Sequence, residues 1–156
     1  MNRRAGIVVA GLALAGFFAV RGAWPEAASQ ATRKVLNAPE KLVEAPYSDG
    51  ILAGNTLYLA GRIGLDPKTG KPPAEVEEEV KLLMENLKGT LTQAGMTIDD
   101  LVYVQIACTD LSLYEKFNAV YKSYFKTKDY PAREFIGAGS LLRGGHFELQ
   151  AIAVRR

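Results

Sequence analysis

Apolar residues at Val76, Val80, Leu83, Leu87 and Leu91 recur every three or four positions, while Glu77, Glu78, Lys81, Glu85 and Lys88 fill the other side. That period predicts an amphipathic helix that starts after Pro72-Pro73 and ends at Gly95. The acidic run Glu77, Glu78 and Glu79 falls in its early turns, where the helix dipole favours negative charge, and reads as a solvated face and not as a metal site. Leu113, Phe117, Val120, Tyr121 and Tyr124 form a second helical stripe, which reads as core and not as a base-stacking platform. Ser112 stands three residues before Glu115, the spacing of a capping box.

The remaining apolar runs are strand-like. A short extended piece at residues 34–36 leads through Pro39 and Pro46 to two runs, 47–53 and 56–63, joined by Gly54-Asn55 as a hairpin. Asp66-Pro67-Lys68-Thr69-Gly70 is a turn. Residues 101–108 carry Val102, Val104 and Ile106 on one side, and residues 132–139 and 147–154 close the chain around a loop containing Arg143-Gly144-Gly145. The order strands, helix, strand, helix, strands predicts an α+β domain, with two helices on one face of a mixed sheet. Two helices leave the second face uncovered, which predicts oligomerisation.

The first 31 residues have a different character. Arg3 and Arg4 precede an apolar and small-residue run over residues 5–20, and Ala27-Ala28-Ser29-Gln30-Ala31 offers a cleavage site. Residues 1–31 are therefore expected to be a signal peptide, or an uncleaved N-terminal anchor that would hold the protein to a membrane. Residues 32–156 form the domain of an exported protein, periplasmic or secreted. The leader holds three of the 19 basic and one of the 17 acidic residues, so the domain carries sixteen of each and no net charge. This disfavours nucleic acid as a partner.

Cys108 is the only cysteine, so no internal disulfide forms, and its apolar run suits a buried hydrophobe better than a reactive thiol. His146 is the only histidine, and no metal-ligand spacing exists. Phosphate-binding, dinucleotide and nucleophile-elbow motifs are also missing.

What stands out is a polar pair on the last two strands. Alternation sets Glu148, with His146 and Gln150, on the opposite face from Phe147, Leu149, Ala151 and Ala153, while Arg133 follows Pro131-Ala132 at the start of the preceding strand. A cross-strand ion pair and a functional pair are both open readings.

Pro131-Ala132-Arg133, followed by Phe147-Glu148-Leu149-Gln150-Ala151-Ile152-Ala153-Val154, resembles the C-terminal signature of the Rid family, the reactive intermediate deaminases, also called YjgF-like or L-PSP proteins. Ala45-Pro46-Tyr47-Ser48, Tyr58-Leu59-Ala60-Gly61-Arg62-Ile63, Asp66-Pro67-Lys68-Thr69-Gly70 and Phe117-Asn118-Ala119-Val120-Tyr121 extend the likeness across residues 34–156. The resemblance implies a fold like that of chorismate mutase from bacilli, a homotrimer with clefts between subunits, and no cofactor. It implies hydrolysis of enamine or imine intermediates, such as 2-iminobutanoate or 2-iminopropanoate, to 2-oxo acids and ammonia. In that reading Arg133 holds the substrate carboxylate and Glu148 activates water, with Tyr47, Asn118, Phe135, Ala60 and Gly61 at the substrate.

The chain departs from the family pattern at Glu134, where serine is usual, at Phe135, often cysteine, at Ala60, commonly serine, and at Arg62, commonly glutamine. Phe135 is expected to narrow the pocket, and Ala60 lacks a hydroxyl donor. The alternative is a non-catalytic protein that binds a small carboxylate in the same cleft. Ribonuclease activity, suggested by the L-PSP name, is disfavoured by the zero charge.

Overall fold

The computed structural model describes residues 32–38 and 45–156. The leader expected at residues 1–31 and the passage through Pro39 lie outside the described residues. Three strands open the domain, β1 (Arg33–Leu36), β2 (Gly50–Ala53) and β3 (Thr56–Ile63), and each pairs antiparallel with the next. Gly54, at φ 61°, makes the tight β2–β3 turn in the left-handed region that glycine enters without a Cβ penalty. Then follow α1 (Val76–Gln93), β4 (Leu101–Cys108), α2 (Tyr114–Tyr121), β5 (Ala132–Gly137) and β6 (Phe147–Val154). The six strands form one sheet in the order β1-β2-β3-β6-β4-β5, antiparallel except for the parallel pair β4 and β5. The predicted mixed α+β sheet is present.

Sequence period explains how the layers close. Val80, Leu83, Met84, Leu87 and Leu91 of α1 are completely buried against Leu57, Val104, Ile106, Phe147 and Leu149 of the sheet, and Phe117 of α2 joins them. Each such side chain contributes about 1.5–3 kcal/mol of burial before entropy is charged against it. At the end of α1, Gly95 (φ 68°) lets the Met96 amide donate to the Leu91 carbonyl and its own amide to the Thr92 carbonyl, so the helix stops there while Leu91 and Met96 are both buried. Among the described residues no helix packs on the opposite face of the sheet, and Tyr58 and Ile136 are exposed.

Four local expectations are corrected. Strand β2 begins at Gly50, so Tyr47 sits in the preceding loop and is 60% exposed. The Ser112–Glu115 capping box is not formed: the Asp110 carboxylate takes the Ser112 amide at 2.9 Å and caps a short turn of 3-10 helix, Leu111–Leu113, ahead of α2. A register slip between Leu101 and Tyr103 turns Val102 out to solvent, away from buried Val104 and Ile106. Glu79 is not on a solvated face, since it is fully buried.

Candidate active site

Strand β5 lies at the sheet edge, in register with β4 so that Arg133 pairs with Val104 and Phe135 with Ile106. Val104 and Ile106 point to the helices, so Arg133 and Phe135 do too. The Arg133 guanidinium is held from two directions: Nη1 donates to Asn118 Oδ1 at 2.8 Å and Nη2 to the Tyr114 hydroxyl at 3.1 Å. Its carbon lies 5.1 to 5.8 Å from the ring centres of Tyr121, Tyr114 and Phe135, a cation–π setting that restrains the side chain without spending its donors. Among the described residues the second hydrogen on each Nη and the Nε–H make no hydrogen bond.

Beside this arginine is a cavity of about 320 Å³, lined by Glu115, Asn118, Tyr121, Lys122, Tyr130, Pro131 and Arg133. Phe135 does not line it, because its ring is turned edge-on into Tyr114 and Phe117 at 4.9 and 5.5 Å. The expected narrowing by Phe135 is therefore not seen at this cavity. Burial pushes the Tyr121 hydroxyl up to about 12 against the opposing pull of Arg133. That hydroxyl has no hydrogen-bond partner among the described residues.

Glu148 occupies the other side of the sheet. It pairs with Ala107 of β4 and Ile63 of β3, one position from buried Phe147 and Leu149. Its carboxylate fills the place that a Cβ on residue 61 would need, so Gly61 is what admits it. The two share a shallow recess of about 140 Å³ with Gln105, Ala107 and Gln150, where Gln150 donates to Gln105. A bulge in β3 between Leu59 and Arg62 opens the strand at Ala60 and Gly61. Ala60 presents only a methyl group here, and its amide donates to the Asp49 carbonyl at 3.0 Å. Arg62, carried round by the bulge, reaches the helix side and pairs with buried Asp49 at 3.0 Å.

The expectation of a cross-strand Arg133–Glu148 pair is corrected by strand order. β4 runs between β5 and β6, and the two side chains leave opposite faces of the sheet. Glu134 does not compete for Arg133 either, as it faces away and accepts a hydrogen bond from the Tyr103 hydroxyl at 3.2 Å. A single chain thus presents a cation fork beside a cavity on the helix side, and a carboxylate in a recess lined by Gly61 on the opposite face.

His146 does not share the Glu148 face. It precedes β6, and its Nδ1 meets the Glu79 carboxylate at 2.7 Å. Glu79 also accepts the backbone amides of His146 at 2.8 Å and Phe147 at 3.1 Å, which fixes the start of β6 next to Glu148. Reading the acidic run by charge alone missed this residue. Its spacing, three residues after Val76 and four before Leu83 on the buried stripe, was the signal that could have found it. Cys108 is buried with its thiol donating to the Asp110 carbonyl at 3.0 Å, and burial pushes the thiol up, as suits an inert core residue. Among the described residues no group of three or more His, Cys, Asp or Glu side chains could hold a metal ion.

Comparison with known proteins agrees with this architecture. A family model, Endoribonuclease L-PSP, matches residues 36–155. The 2-iminobutanoate/2-iminopropanoate deaminases of Escherichia coli and Bos taurus are each 33% identical to this chain, over 122 and 129 residues that cover 77% and 81% of it and 94% and 93% of those relatives. The crystal structure of E. coli TdcF with bound serine superposes with a TM-score of 0.68 at 32% identity, covering 72% of this chain and 91% of that one. On the family match and on relatives a third identical over nearly their whole length, this chain belongs to the Rid family, the YjgF/L-PSP group of reactive intermediate deaminases.

Proposed function

We propose that this chain hydrolyses 2-imino acids, and the enamines in equilibrium with them, to 2-oxo acids and ammonia in a cleft assembled from two copies of itself. The observation that carries this is the Arg133 fork, held by Asn118 and Tyr114 and lining a cavity. A planar, preorganised guanidinium matches a carboxylate bidentately and loses little freedom on binding.

The substrate carboxylate docks on Arg133, which fixes the adjacent C=N carbon. Glu148 of a second copy takes a proton from water as the oxygen adds to that carbon and returns it to the nitrogen, which becomes an amine; the hydroxyl proton of the adduct then follows the same route to nitrogen as the C–N bond breaks. Collapse of the resulting carbinolamine expels ammonia and leaves the C=O of the 2-oxo acid, so water is consumed and no oxidant is needed. An imine carbon is already electrophilic, so positioning and one general base account for the chemistry. Gly61 keeps the Glu148 carboxylate in reach of the water, and Tyr47, exposed in the loop before β2, belongs to the same half-site. The open sheet face, which carries the Glu148 recess, is the surface expected to pack against a neighbour in a closed trimer.

Ammonia release from 2-iminobutanoate or 2-iminopropanoate, generated in situ from the amino acids, tests the reading. The wild type is expected to accelerate it, Arg133→Ala to lose both turnover and 2-oxo acid binding, and Glu148→Gln to lose turnover while still binding. Binding that depends on Arg133 with no turnover in the wild type would make this a carboxylate-binding protein and not an enzyme.

A further inference from the structure

Resting on Arg133 as the carboxylate anchor, we infer that the side chain of the preferred 2-imino acid is aromatic, and that Tyr130 selects it. The first ground is volume. A cavity of about 150 Å³ is enough to hold benzene, and the space beside Arg133 is about 320 Å³. A methyl or ethyl substituent would leave most of it to water, whereas a phenyl ring beside a planar imino acid head group fills it.

Wall chemistry is the second ground. Tyr121, Tyr130 and Pro131 line the cavity together with Arg133. Tyr130 is half-exposed, yet it is braced: its ring stands edge-on to Phe125 at 5.3 Å, Phe125 packs on Tyr121 at 4.9 Å, and Tyr121 stacks on Phe117 at 5.6 Å. This array ends at the cavity with Tyr130, whose partly exposed ring can take an offset or edge-on contact from a further ring. Apart from the anchor Arg133, the charged residues of the wall are Glu115 and Lys122, both exposed and of opposite sign, so neither an acidic nor a basic side chain is selected. Burying a charged group there without a partner would be unfavourable.

The test uses the 2-oxo acid products, which need no turnover. Calorimetric titration of the protein with phenylpyruvate and with pyruvate should give an affinity ratio of roughly tenfold or more in favour of phenylpyruvate, the size expected of one ring contact with its added burial. Tyr130→Phe should keep the ratio and Tyr130→Ala should collapse it towards one. Equal affinities in the wild type, or a ratio that survives Tyr130→Ala, overturn the inference while leaving the anchor intact, provided Arg133→Ala still abolishes binding of both acids. Failure of both acids to bind the wild type overturns the inference and the anchor together.

Discussion

If each cleft joins Arg133 of one copy to Glu148 of another, two inactive variants should restore each other. Removing Arg133 deletes charge-assisted hydrogen bonds worth roughly 1.5–3 kcal/mol each, so Arg133→Ala alone should lower kcat/KM by about a hundredfold or more. Glu148→Gln removes the general base, with a loss of roughly 10² to 10⁴. In a closed trimer refolded from equal amounts of the two, a cleft is intact when its arginine comes from the Glu148 variant and its glutamate from the Arg133 variant. Each condition is met half the time, so about one quarter of the clefts should work. A quarter of wild-type activity stands well above a background near one per cent, and ammonia release from 2-iminopropanoate would resolve it easily. Native mass spectrometry should confirm that mixed trimers formed. Activity that stays at the sum of the parents in verified mixed trimers would refute the two-copy cleft. The opposite faces of Arg133 and Glu148 would then need another explanation.

Three further outcomes follow from particular contacts. Gly61→Ala places a Cβ where the Glu148 carboxylate lies, so kcat should fall at least tenfold while the circular dichroism and 2-oxo acid binding stay close to wild type. Glu79→Leu leaves the buried amides of His146 and Phe147 without acceptors, at roughly 1–3 kcal/mol each, so urea unfolding should report a loss of about 2–5 kcal/mol, with Glu79→Gln losing less. Hydrogen bonds from the Ser112 side chain and amide hold the Asp110 carboxyl below its ordinary value. Because the folded form binds this proton more weakly than the unfolded one, its contribution is present above the ordinary aspartate range and is lost as pH falls through the depressed value. Asp110→Asn should therefore weaken the acid dependence of stability below about pH 4, as measured by denaturant midpoints across that range.

The fold was legible wherever one period ran long enough. Eighteen helical residues of α1 carry a stripe that buries as written, and the alternation in β6 puts Phe147, Leu149, Ala151 and Ala153 inside. Legibility failed where a single contact overrides a pattern. Val102 fits the alternation of β4, but a one-residue slip in pairing turns it outward, and no local signal marks such a slip. Ser112 and Glu115 have capping-box spacing, yet Asp110 is two residues upstream and takes the Ser112 amide first. Glu79 looks like one of three solvated acids, and only the return of the chain at His146 supplies the three donors that make its burial tolerable.

The site shows the same limit at a larger scale. Sequence places Arg133 and Glu148 on successive strands, and successive strands are neighbours often enough that an ion pair is the natural reading. The chain instead inserts β6 between β3 and β4, so that β5 is reached by a parallel crossover through α2 and left at the edge. That one topological choice puts the two side chains on opposite faces of the sheet, with β4 between their strands. It also gives the edge strand a purpose: with β4 on one side only, Arg133 can be approached from beyond the sheet, and α2 can bring Asn118, Tyr114 and Tyr121 against it. Had β5 and β6 paired directly, with Glu148 turned to the same face, the guanidinium would have been neutralised within its own chain and unable to take a ligand carboxylate. On the proposed mechanism, the separation of the two charges within one copy is what leaves each free of the other.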